Sequence, residues 1–186
     1  MSDLLSLLTR KLGSPQLSMQ LLERNREDLG IGCDQTDPGL VAMSLCSLGV
    51  PPEAVSALLS WKEFEAFCAD LVRAAGYDVR ENVRLRKPTA QIDLVATGTS
   101  LVLSVDCKHW RKSASVSTLA KVARDQQRRN ELLRKAHPSA PPIVTVILTL
   151  AQQGERFVDG AAVVPLFALR SFLSSVDEYT EFLVSS

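Results

Sequence analysis

The sequence predicts an α/β protein in which a mixed β-sheet is flanked by helices and preceded by a small all-α extension. Three observations carry that prediction. Residues 1–60 show only the 3.6-residue apolar period of helices. From Tyr77 onward, short β-branched runs punctuated by turns lead into one long helix and then a continuous apolar strand, in the order α-β-β-β-α-β once a preceding helix is counted. At 186 residues and 46% hydrophobic, the chain can bury one good core plus a small appendage.

Taken in order, Leu4, Leu5, Leu7 and Leu8 begin an apolar helical face that Gly13-Ser14-Pro15 stops. The period repeats from Leu17 to Leu29 and ends at a Gly30-Ile31-Gly32 turn. Asp37 is a good N-cap with Pro38 at the first helical position, and the helix runs through Leu40, Met43 and Leu45 to Gly49. Pro51-Pro52-Glu53 opens a further helix over Val55, Leu58 and Leu59. These helices are expected to form a domain over residues 1–59, a docking or dimerisation arm that could hold a protein partner. None of them is basic along one side, which argues against a winged-helix DNA reader.

The second domain is expected over residues 60–186. Ser60 and Glu63 have the spacing of a capping box, and Phe64, Phe67, Cys68, Leu71 and Val72 mark the buried face of the helix that follows, to Gly76. Tyr77–Val83 reads as a strand, Arg84-Leu85-Arg86-Lys87-Pro88 as a basic turn and Ile92–Ala96 as a second strand. Gly98-Thr99-Ser100 makes a hairpin turn into a third strand, Leu101–Lys108. Val116 to Ala136 is a long basic helix, and Ile143–Leu150 is a strand buried on both faces. Val163–Leu173 and Asp177–Val184 suggest a short strand or turn followed by one or two helices.

The net charge is zero, but it is unevenly spread. Residues 61–137 hold fifteen Lys/Arg against nine Asp/Glu, and the flanks hold six against twelve. A basic middle suits a polyanionic partner such as DNA. Cys33, Cys46, Cys68 and Cys107 form no CxxC pair and no histidine cluster, so a zinc finger and a disulfide framework are both excluded. The start of the chain lacks a basic signal sequence, and the apolar runs are too short to span a bilayer, so a cytoplasmic, nucleoid-associated protein with no membrane partner is expected.

The chemistry gathers on the third strand. Asp106 and Lys108 are two apart and share a face, whereas Cys107 faces the core. An acid beside an ammonium on a buried strand is costly unless something uses the pair. Asp93 lies in the preceding apolar strand, and Glu65 lies beside the apolar face of the preceding helix. Phosphodiester hydrolysis needs a nucleophilic water and stabilised phosphoryl charge, and Mg²⁺ (with Mn²⁺ able to substitute) supplies much of both from a few carboxylates and waters. Asp93, Asp106 and the backbone carbonyl of Cys107 are the expected ligands. Glu65 would join through a metal-bound water or a second ion, and Lys108 would orient the attacking water or offset developing charge.

Phe64-Glu65, Gln91-Ile92-Asp93 and Val105-Asp106-Cys107-Lys108-His109 resemble the PD-(D/E)xK nuclease superfamily, most closely its Mrr-type and archaeal Holliday-junction-resolvase-like branch. The resemblance covers roughly residues 60–175. It implies a restriction-endonuclease-like core, Mg²⁺-dependent DNA cleavage by Glu65, Asp93, Asp106 and Lys108, and a homodimer in which each protomer cuts one strand. Ile92 stands where the superfamily has proline, Gln91 where relatives often have glutamate, and Asp106 where this branch usually has the longer glutamate. A non-catalytic DNA-binding or scaffold subunit with the same fold is the rival expectation.

Around the motif, Arg84, Arg86, Lys87, Arg111, Lys112, Lys121, Arg124 and Arg128 are candidate phosphate contacts. His109 and Trp110 are read as a packed strand-end pair, with a general-base or base-stacking role as the alternative. Gln126 and Gln127 are either a solvated helix face or, as in some relatives, near the scissile phosphate.

Overall fold

The computed structural model describes residues 3–29, 38–86, 88–110, 112–154 and 156–179. The chain divides into two compact units, residues 1–74 and 75–186.

Among the described residues the regular elements of the first unit are all helices: α1 (Asp3–Leu12), α2 (Pro15–Leu29), α3 (Pro38–Ser47), α4 (Pro52–Ser56) and α5 (Trp61–Ala74). Helix α3 is its centre, because it is apolar all round and packs against the other four. Leu40, Val41, Ala42 and Leu45 are fully buried, as are Leu8 on α1 and Leu22 on α2. Gly49 ends α3 with φ +79°, where Gly49 N–H donates to Cys46 O and Val50 N–H to Leu45 O. The expected capping box closes α5: Ser60 N–H donates to Glu63 Oε2 at 2.7 Å, and Glu63 N–H to Ser60 Oγ at 3.4 Å. The expected Gly30–Gly32 turn and the Asp37 cap lie outside the described residues. Helix α5 packs on α3, so the compact units divide at 74/75, one helix later than the expected boundary at 59/60.

The second unit is a six-stranded mixed sheet in the order β1-β2-β3-β4-β6-β5. Its strands are β1 (Asp78–Leu85), β2 (Ala90–Thr97), β3 (Val102–Lys108), β4 (Ile143–Thr149), β5 (Phe157–Val158) and β6 (Ala161–Pro165). The β1-β2-β3 meander is antiparallel, and β3-β4-β6 is parallel. Parallel pairing of β3 with β4 needs a crossover, which α6 (Val116–Ala136) supplies. Ser115 caps α6 by accepting from Thr118 N–H at 3.2 Å.

One stripe of α6, Leu119, Ala123, Gln126, Asn130 and Leu133, is buried against the sheet. At one end Leu133 joins Leu85, Ile92, Val95, Val102 and Ile143; at the other, Leu119 and Ala123 meet Ile147, Val158, Ala161 and Val163. Between these apolar clusters the stripe is polar: Asn130 Nδ2 donates to Thr145 Oγ1 at 2.8 Å, and Gln126 Nε2 to Ser104 Oγ at 2.7 Å. Strand β4 is buried along its whole length, as its β-branched run predicts. The C-terminal part is the β5-β6 hairpin followed by α7 (Leu169–Ser175) between two 3-10 turns; the expected order of strand then helix is present, but β5 adds an antiparallel edge that two residues were too few to signal. None of the described helices is long and apolar enough to cross a membrane.

Candidate active site

The site forms where β2 and β3 part. Their ladder runs from Thr97–Val102 to Leu94–Val105 and stops there, although Asp93 and Asp106 are next in register. The Cys107 N–H instead donates to Asp93 Oδ2 at 2.8 Å. A side-chain carboxylate has replaced a backbone acceptor, which opens the sheet edge at this point while β3 stays paired to β4 as far as Lys108–Thr149. The N–H and C=O of one strand residue point the same way, so the Cys107 carbonyl faces the Asp93 side as well. The Cys107 side chain is buried, as expected. On β1 the residue facing Asp93 is Asn82, with φ +51°, and its Oδ1 accepts from Gln91 Nε2.

Asp106 is 2% exposed and sits between two cations. Lys108 Nζ lies 2.6 Å from Oδ2, and Arg129 Nη1 lies 3.0 Å from Oδ1. The lysine contact is an ion pair outside hydrogen-bonding angles, so the buried Oδ2 makes no hydrogen bond. Both cationic side chains are partly open to water, at 27% and 31% exposure. Arg129 also donates to Gln126 Oε1 at 2.8 Å, joining the network to Ser104 on β3. Burial pushes the Asp93 carboxyl above its ordinary range, and the Asp106 charge pushes the same way; the Cys107 N–H, Lys108 and Arg129 pull against them.

Two carboxylates from adjacent strands, a carbonyl on the same side and a buried oxygen without a hydrogen bond fit a hard divalent cation, which completes its shell with water. Among the described residues no cluster of three or more His, Cys, Asp and Glu side chains assembles. Asp93, Asp106 and Lys108 are therefore brought together as expected. Glu65 is on α5 in the helical unit and is buried there.

The basic residues divide. Arg84 is exposed but lies in β1, because the strand runs to Leu85 and the expected basic turn starts later. Arg86, Lys112 and Lys121 are exposed; Lys87 and Arg111 lie outside the described residues. Arg124 pairs with Asp159 at 2.6 Å and Arg128 with Asp125, so both are partly neutralised at home. Trp110 packs against the Leu119–Ile147 cluster, in keeping with a packed strand end.

The solvated reading gives way for Gln126. Gln126 is fully buried, and Gln127 donates to the Asp159 carbonyl. Arg129 was legible in the sequence only as one of several basic helix residues. Its position three after Gln126 and one before Asn130, at the edge of the buried stripe, is the signal that separates it from the others.

A mixed sheet with a β3-α6-β4 crossover, flanked by helices, is consistent with the restriction-endonuclease-like class of α/β fold. Residues 57–134 match the family model Mrr_cat, restriction endonuclease, a match consistent with the Mrr-type branch of the PD-(D/E)xK superfamily. The matched stretch is 78 of the 186 residues and includes Glu65, Asp93, Asp106 and Lys108. It starts before α5, although α5 packs with the N-terminal helices. No curated protein and no solved structure matches the chain.

Proposed function

We propose that this chain is a Mg²⁺-dependent endodeoxyribonuclease, with residues 60–186 as its nuclease domain. The observation that carries the reading is the cross-strand pair of Asp93 and Asp106 at the break in the β2-β3 ladder, with Lys108 against Asp106. Asp93, Asp106 and the Cys107 carbonyl would hold the ion. When bound, Mg²⁺ supplies a polarised water and neutralises charge on the phosphoryl oxygens.

The chain's own residues do the rest. The Cys107 N–H fixes the Asp93 carboxylate in place, so the ligand is oriented before any cation arrives. Lys108, a partly hydrated ammonium, orients the attacking water and offsets charge that develops at the phosphate. Arg86, Lys112 and Lys121 are exposed cations suited to backbone phosphates, in keeping with sequence-independent grip. Branched or otherwise specific DNA structures in repair, recombination or restriction are the proposed substrates, and a homodimer is proposed from the superfamily resemblance.

A second reading is a non-catalytic DNA-binding scaffold. The pairing of Asp106 with both Lys108 and Arg129 favours it, since such a trio is also a stable structural ion-pair network. Labelled duplex, single-strand, flap and four-way-junction DNA incubated with Mg²⁺, Mn²⁺ or EDTA separates the two. Metal-dependent cutting of any substrate supports the nuclease; tight binding with no cutting on all of them supports the scaffold.

A further inference from the structure

Arg129 is the charged side chain in the site that the motif does not explain. It comes from α6, across from the strands that carry the motif, and its Nη1 bridges Asp106 Oδ1 and Gln126 Oε1. Gln126 is itself locked, fully buried and bonded to Ser104 on β3. The guanidinium is thus aimed by a rigid amide, yet its side chain is 31% exposed and stands outside the apolar core.

With Lys108 on the other oxygen, Asp106 has a cation on each side. Its charge is compensated twice over, and an incoming divalent cation meets two positive groups at the ligand it needs. A guanidinium recognises a phosphate by the same paired N–H donors with which it recognises a carboxylate. We propose that Arg129 is a displaceable counter-ion. It holds Asp106 while the site lacks a cation, leaves Oδ1 when a divalent cation takes up that carboxylate, and then binds a phosphate oxygen of the DNA. Metal uptake and DNA grip are thereby coupled through one side chain. The inference rests on the nuclease reading and adds to it a positioning residue that the motif lacks.

The test measures Mn²⁺ binding to the full chain without DNA, by the paramagnetic resonance of the free ion, in wild type and Arg129→Gln. Removing the competing cation is expected to tighten Mn²⁺ binding about tenfold, equivalent to about 1.4 kcal/mol. A purely structural arginine would give the opposite sign, because Asp106 would lose its support. DNA affinity gives the second readout. In EDTA Arg129→Gln should match wild type, since Arg129 is then engaged by Asp106; in Ca²⁺ it should bind DNA about tenfold more weakly. Should Arg129→Gln not fold, Arg129→Lys keeps the charge without the planar fork, and about threefold tighter Mn²⁺ binding is expected. Unchanged or weaker Mn²⁺ binding in the folded variant, beside a wild type that cuts DNA with metal, overturns this inference alone. A wild type that neither binds Mn²⁺ nor cuts DNA removes the nuclease reading, and this inference with it.

Discussion

The two acids of the site should respond to neutralisation with opposite signs when no metal is present. Asp106→Asn deletes the anion between Lys108 and Arg129, whose ammonium and guanidinium lie 2.6 and 3.0 Å away. Breaking a fully buried ion pair costs about 3–5 kcal/mol. Here both cations keep contact with water, and the loss of Asp106 also relieves its repulsion of Asp93, so about 2 kcal/mol is expected. For a chain of this size that lowers Tm by about 4–8 °C.

Asp93→Asn should do the reverse. Its folded-state pKa lies above the unfolded one, chiefly through burial, so the folded protein binds that proton more tightly. Stability then falls as pH rises from the ordinary carboxylate pKa through the raised one, and the penalty is complete above the raised one. Asparagine removes the charge and keeps an oxygen for the Cys107 N–H. Asp93→Asn should therefore melt higher than wild type at neutral pH in EDTA, with the gain shrinking as pH falls through the raised pKa and gone below the ordinary carboxylate range. Thermal denaturation followed by circular dichroism across pH measures both variants. Equal signs for the two, or a gain for Asp106→Asn, would refute the electrostatic assignment of the site.

Two further variants probe the supports. Gln126→Leu leaves Ser104 Oγ and Arg129 without their amide partner, one of those bonds being to a charged group, and should cost about 2–3 kcal/mol in urea denaturation. A loss under about 0.5 kcal/mol would mean the amide is not a structural pin. At Gly98 an added Cβ would lie 2.9 Å from the Tyr77 ring and 3.4 Å from the Leu101 carbonyl, so Gly98→Ala should lose about 1 kcal/mol, and Gly98→Ala combined with Tyr77→Ala should show less than the sum of the two single losses.

The sheet and its crossover were legible because their signals are local. The Leu101–Lys108 and Ile143–Leu150 runs, the Gly98–Ser100 turn and the long periodic helix each announce an element without help from the rest of the fold. The convergence of Asp93 with Asp106 followed from the hairpin register. What the sequence could not give depends on distant partners. The ladder breaks at Asp93 because a carboxylate there captures the Cys107 N–H, and no propensity encodes that exchange. Gln126 and Arg129 looked like surface because polar residues on a basic helix usually are; the burial of Gln126 and the engagement of Arg129 follow from Ser104 and Asp106 on the facing strand. Arg124 and Arg128 looked free for DNA because their acids, Asp159 and Asp125, gain meaning only once the β5-β6 turn and the helix surface are in place. Helix α5 was grouped with the sheet because the pattern changes at Ser60, and in the fold it packs on α3.

The most direct test of the nuclease account is Lys108→Ala assayed against wild type on the DNA substrate that wild type cuts in Mg²⁺, with Mn²⁺ binding measured in parallel. The account predicts loss of cleavage by at least about a hundredfold with Mn²⁺ binding retained or tightened, because Lys108 acts on water and phosphate and, as a second cation on Asp106, opposes the ion and does not ligate it. Undiminished cleavage by a folded Lys108→Ala variant would contradict it.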